Sequence, residues 1–183
     1  MKSIREIFAQ LLGNKDSGVF REIPLKVRGK LYASPMPFGA YDRGNRVIKI
    51  YRKNRVNHVF MLVTDAELEK KARRNVFKQY EKNNITWSRF IVKDFETPSV
   101  EVISNLVNEA RERLNNRQHV AVHCHAGVGR TAVAMSCIAI ATENFTADEA
   151  VNYVKQHMEI MIMPKQKKLI QEFENSLNAT DKK

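Results

Sequence analysis

Between His119 and Thr142 the chain passes through the strand-like run "HVAVH", the six-residue turn "CHAGVG" and then "RTAVAMSCIAIAT", which is apolar on nearly every helical face. A helix with no polar face is stable only when other elements surround it. This segment therefore belongs in the middle of a domain, and the rest of the chain must supply its cover.

That cover is legible as an alternation. "VNHVFMLV" predicts a buried strand and "TDAELEKKARRNVFKQYEKNN" a helix opened by a capping box of Thr64 and Glu67. "ITWSRFIV" reads as the next strand, and a helix is expected from about Pro98 to Asn115, with Pro98 in its first turn. Upstream, "KVRGKLYASPMPFG" reads as a hairpin-like way in, followed by a helix near Arg43 to Asn54. Downstream, two helices are opened by the Thr146 and Glu149 capping box and by Pro164. Strands alternating with helices predict an α/β fold: a central mixed, mainly parallel sheet of four to five strands flanked by helices. Residues 1–20 read as an amphipathic helix and linker, with Ile4, Ile7, Phe8, Leu11 and Leu12 on one face, and residues 21–183 as a single domain.

Composition narrows the setting. At 183 residues with 43% hydrophobic content, one domain can bury a core without metals or disulfides, and no apolar run reaches the length of a bilayer span. Only two cysteines occur, Cys124 and Cys137, too few for a disulfide framework or a cysteine-rich metal site. With no signal-peptide pattern at the start, the expectation is a cytoplasmic protein. Thirty-one Lys and Arg against twenty Asp and Glu give a net charge of +11, which favours anionic partners without identifying them. The basic stretches "KIYRKNR" and "KKARRNVFKQYEK" fit a solvated face as readily as a lipid or RNA surface.

The turn itself carries the chemistry. A strand that enters a tight glycine-bearing loop and leaves as a helix aims successive backbone N–H groups into one concavity, at the positive end of the helix dipole. His125, Ala126, Gly127, Val128 and Gly129 would line this anion cradle, and Arg130 adds a planar fork suited to two phosphate oxygens. The glycines are expected to supply positive φ and to keep side chains out of the anion's way. A thiol at the start of such a loop feels a field that favours the thiolate, so Cys124 is a candidate nucleophile towards phosphorus. Thr131 could donate its hydroxyl to the sulfur. Cys137, on the apolar helix, reads as core filler.

"HCHAGVGRT" resembles the His-Cys-x5-Arg-Ser/Thr signature loop of the cysteine-based protein tyrosine phosphatase superfamily, and of its small dual-specificity members in particular. The resemblance extends over roughly residues 25 to 175. It implies a phosphotyrosine protein phosphatase-like fold, a phosphocysteine intermediate, no metal or other cofactor, and a role for His123 in orienting the cysteine. Departure of an alcohol or phenol also needs an acid on another loop. Asp94, in "VKDFETPS" at a predicted strand end, is the candidate, and Glu96 is its rival. In "MPKQKK" the resemblance assigns Gln166 to positioning the hydrolytic water. Ala132 stands where many relatives carry glycine, and the short chain leaves no room for a long phosphotyrosine-recognition loop, so a shallow site is expected.

The expected activity is hydrolysis of phosphomonoesters on protein tyrosine, serine or threonine. The alternatives are a phosphoinositide or RNA 5′-phosphatase and, in another class, a non-catalytic phosphate-binding module. A phosphorylated protein is the expected partner, with anionic lipid or RNA left open.

Overall fold

The structure is a computed structural model and describes residues 20–180. The expected N-terminal helix and the turn after it lie outside the described residues.

Five strands form one sheet: β1 (Arg21–Ile23), β2 (Lys30–Ser34), β3 (Val56–Met61), β4 (Thr86–Arg89) and β5 (His119–His123). Their order across the sheet is β1-β2-β5-β3-β4. β1 runs antiparallel to β2, and every other pairing is parallel. The sheet is therefore mixed and mainly parallel, as expected, with the apolar strand His119–His123 at its centre.

Seven helices are described: α1 (Val47–Lys53), α2 (Asp65–Lys71), α3 (Val76–Lys82), α4 (Val100–Asn115), α5 (Arg130–Glu143), α6 (Ala147–His157) and α7 (Pro164–Thr180). The period of two along the strands divides the core between the faces of the sheet. Leu31, Ala33, Phe60, Val120 and Val122 pack with α4 to α7 on one side. Tyr32, Val59, Met61 and Ala121 pack with Val47, Tyr51, Val76 and Tyr80 on the other. α5 is buried on all sides over Arg130–Ile140, which is the environment its uniform apolarity requires.

Several boundaries differ from expectation. The single helix expected after Thr64 is two, because the chain turns extended at Ala72 and Asn75 caps the second through Lys78 N–H at 2.9 Å. Arg73 holds the break open: its backbone N–H and side chain bond to the carbonyls of Phe38 and Gly39. Pro98 lies outside α4, whose N-cap is Ser99. β4 stops at Arg89, although Phe90 and Val92 still donate to Met61 and Leu62 carbonyls and carry the chain alongside β3.

Because β2, β3, β4 and β5 are parallel, the loops after them emerge at one edge of the sheet. An open parallel sheet binds ligands at that carboxyl edge.

Candidate active site

β5 delivers Cys124 to the floor of a cleft of about 650 Å³ at this edge. Gly127 N–H donates to Cys124 Sγ at 3.2 Å. The loop carbonyls of His125 and Val128 accept from the N–H groups of Met36 at 3.1 Å and Met161 at 2.9 Å. Across a trans peptide the next N–H points the opposite way, so the amides of Ala126 and Gly129 are turned away from Met36 and Met161. The first turn of α5 has no side-chain cap and lends its positive end to the same space.

Gly127 has φ +83°, and a Cβ there would stand 2.6 Å from the Ser34 carbonyl. The glycine is required by its left-handed φ and by the approach of the β2 exit. Gly129 has φ −102° and needs no left-handed conformation.

Arg130 is buried and its guanidinium is spoken for on one edge. Nη2 donates to Glu67 Oε1 at 2.7 Å and Nη1 to Glu67 Oε2 at 2.9 Å. Nη1 also donates to the carbonyls of Val92 at 2.7 Å and Leu62 at 3.3 Å. Asp94 Oδ1 lies 3.0 Å from Nη2, beside the remaining edge made by Nε and Nη2. Burial alone would raise the Glu67 carboxyl, but hydrogen bonds from Arg130 and Thr64 and the charges of Arg130 and Lys71 hold it well below the usual carboxylate range. Burial works against the charge on Arg130, and Glu67, Cys124 and Asp94 more than compensate.

His123 is fully buried. Its Nδ1 lies 3.1 Å from the Cys124 carbonyl and its Nε2 3.0 Å from Tyr80 Oη. A carbonyl only accepts, so Nδ1 carries the proton and Nε2 accepts from the tyrosine. Burial pushes His123 down to about 4, which keeps it neutral. The ring thus holds the carbonyl of the residue that bears the thiol. Thr131 Oγ1 accepts from Cys124 N–H at 2.9 Å, a bond to the backbone where one to sulfur was expected.

Asp94 and Glu96 part company. Asp94 lines the cleft beside Arg130, whereas the Glu96 carboxylate pairs with Lys165 at 2.7 Å. Gln166 reaches the cleft wall, but its amide is engaged locally, accepting from Met163 N–H at 3.0 Å and donating to the Glu96 carbonyl at 3.3 Å. His125 lines the cleft with its ring edge-on to Tyr41. Burial, then the Lys71 charge, push His125 down.

Three contributors were missed in the sequence. Glu67 was read only as a helix cap, and Lys71 only as part of a basic face. Asp42, fully buried, accepts from the N–H groups of Phe38, Arg46 and Val47 and so shapes the loop that brings Tyr41, Arg43 and Arg46 to the cleft. An acid four or five residues before an apolar helix was the available signal, but its partners become plain only once the loop folds back. Among the described residues no helix is long and apolar enough to cross a membrane.

Comparison with known proteins agrees with this fold. Tyrosine-protein phosphatase CDC14 of Candida albicans is 33% identical over 78 residues, which are 43% of this chain and 14% of that protein. The chain thus matches only a small part of such relatives. Among solved structures, kinase associated phosphatase superposes with a TM-score of 0.77 at 18% identity, covering 87% of this chain and 96% of the other. PTPMT1 in complex with PI(5)P gives 0.74 at 20% identity, covering 88% and 98%. The family described as "Polymorphic toxin system, DSP-PTPase phosphatase" matches residues 38–144, from the loop that carries Tyr41 through the end of α5, and the chain belongs to that family of the cysteine-based phosphatase superfamily.

Proposed function

We propose that the protein hydrolyses phosphomonoesters through a phosphocysteine intermediate, and that its substrates are phosphorylated tyrosine, serine and threonine side chains. The observation that carries this reading is the arrangement of one cleft: a sulfur receiving a loop N–H, an arginine with one edge tied down and the other free of the protein interior, and a carboxyl group at that second edge.

In the first step the Cys124 thiolate attacks phosphorus and the P–O bond to the leaving group breaks, with Asp94 transferring its proton to the departing oxygen. The cradle amides and the Nε/Nη2 edge of Arg130 hold the three non-bridging oxygens as charge builds on them. In the second step Asp94, now a carboxylate, takes a proton from water as that water attacks phosphorus. The P–S bond breaks, orthophosphate leaves and the thiolate is restored. Gln166 would orient this water after releasing the Glu96 carbonyl. Thr131, by bonding the Cys124 amide, holds the sulfur at the cradle floor. The reducing cytoplasm suits a site that depends on a free thiol.

Tyr41 and Phe95, both exposed, line the cleft and offer aromatic walls to the ring of a phosphotyrosine. A second reading, a phosphoinositide phosphatase, draws on Arg43 and Arg46 in the same cleft, which suit a substrate carrying further anions.

The test is turnover of p-nitrophenyl phosphate, phosphopeptides, phosphoinositides and 5′-phosphorylated RNA by the wild type and by Cys124→Ser. Wild-type turnover that vanishes in the serine variant, with oxyanion binding retained, supports the reading; oxyanion binding without any wild-type turnover makes the protein a binding module. Asp94→Ala is expected to slow phenyl phosphate, a poor leaving group, about a hundredfold or more and p-nitrophenyl phosphate much less. Glu96→Ala should leave both near wild type. The opposite pattern would move the acid to Glu96.

A further inference from the structure

Lys71, the last residue of α2, is not one of the residues that line the cleft. Its Nζ lies 3.6 Å from Glu67 Oε1, 3.5 Å from Asp94 Oδ2 and 3.5 Å from His125 Nδ1. These three groups belong to the holder of Arg130, the acid loop and the cradle. An ammonium has donors and no acceptor, so His125 accepts at Nδ1 and Asp94 at Oδ2, while Glu67 Oε1 at 3.6 Å is held by charge alone. Half-exposed ion pairs at such separations add little to stability. The convergence of three site elements on one cation has its consequence in geometry.

The consequence follows from the free edge of Arg130. A phosphoryl group in the cradle takes the Nε/Nη2 edge side-on, and Asp94 Oδ1 now lies 3.0 Å from one of its two nitrogens. Two anions crowd that nitrogen, so an entering phosphoryl group would push Asp94 Oδ1 off Arg130. Its other oxygen, Oδ2, faces Lys71, which does not line the cleft.

We propose that Lys71 is a positioning residue for Asp94: it keeps hold of Oδ2 while Oδ1, displaced from Arg130 by the phosphoryl group, carries the proton to the leaving oxygen. Glu67 and His125 fix the ammonium so that the acid loop has a defined place to go. The proposal rests on the phosphatase reading above.

The test compares kcat for phenyl phosphate and p-nitrophenyl phosphate in Lys71→Met, Lys71→Gln and Lys71→Arg, with melting temperature as the check on folding. Lys71→Met is expected to lose about tenfold in kcat on phenyl phosphate and less than about twofold on p-nitrophenyl phosphate. KM should change little, and Lys71→Arg should recover most of the loss. On phenyl phosphate, adding Lys71→Met to Asp94→Ala should cost nothing further, because the lysine acts through the acid. If Lys71→Met melts low, Lys71→Gln, which keeps a donor, provides the same comparison. Equal losses on both substrates, wild-type rates on both, or additive losses with Asp94→Ala would each overturn the proposal while leaving the phosphatase reading intact. A wild type that turns over neither substrate overturns both.

Discussion

Glu67 and Arg130 meet edge to edge, Oε1 to Nη2 at 2.7 Å and Oε2 to Nη1 at 2.9 Å, with both side chains almost completely buried. The same carboxylate closes the capping box of α2, accepting from Thr64 N–H at 3.1 Å. One side chain therefore starts a helix and orients the guanidinium. With Nη1 further committed to the carbonyls of Val92 and Leu62, the guanidinium plane has a single orientation, and the edge it turns away from the interior is the one a phosphate needs.

Removing Glu67 leaves a buried guanidinium without its counter-charge. Breaking such a pair costs about 3–5 kcal/mol, and the carbonyl partners that Arg130 keeps place Glu67→Ala towards the lower end. Chemical denaturation measures this loss. Phosphate affinity should fall with it, by about tenfold or more as the orientation of the fork is lost. Unchanged affinity in a folded Glu67→Ala protein would mean that the helix α5 backbone alone aims the arginine.

Gly127 and Gly129 sit two apart in the same loop but should respond differently. Alanine at 127 meets both a left-handed φ, which costs a non-glycine residue about 1–2 kcal/mol, and the Ser34–Pro35 backbone at 2.6–2.8 Å. Neither obstacle can move without shifting β2 or the cradle. Gly127→Ala should lower kcat/KM by about a hundredfold or more. Alanine at 129 meets only the Met161 carbonyl, at 3.2 Å, and the damage should be smaller. Equal damage at both positions would show that the loop tolerates no side chain of any kind.

The parts that could be read from the sequence are those whose partners are close in the chain. The Thr64–Glu67 and Thr146–Glu149 capping boxes are three-residue patterns, and both form. The cradle is local too, running from one strand end to the next helix start. Asp94 was accessible because a loop at the end of a parallel strand must face the same edge as the cradle. The pairings of Glu67 with Arg130, Lys71 with Asp94 and Tyr80 with His123 are different, since they depend on which strands are neighbours. The break between α2 and α3 was hidden for the same reason: local propensity favoured one helix, and the bonds from Arg73 to Phe38 and Gly39 come from a distant loop.

Two buried imidazoles set the response of stability to acid. Burial pushes His58 down to about 4, with the Arg113 charge adding to the shift and Glu109 opposing it, and burial brings His123 to about the same value. His125 is lowered in the same sense. An unfolded chain titrates its histidines near about 6.5. Between there and about 4 the unfolded state binds protons that the folded state refuses, so stability is complete above the unfolded value and drains away as pH falls towards the folded one. Glu67 acts in a lower window, its contribution being lost only as pH falls below the ordinary carboxylate range. The free energy of urea unfolding is therefore expected to decline steadily from about pH 7.5 to about pH 5. His58 lies away from the cleft, against Thr86 at 2.7 Å and Glu109 at 3.4 Å, so His58→Gln isolates one share of this slope. That variant should lose about a third to a half of the pH dependence whatever its stability at neutral pH. A stability that stays level or rises on acidification over this interval would show that these rings take up protons in the folded protein.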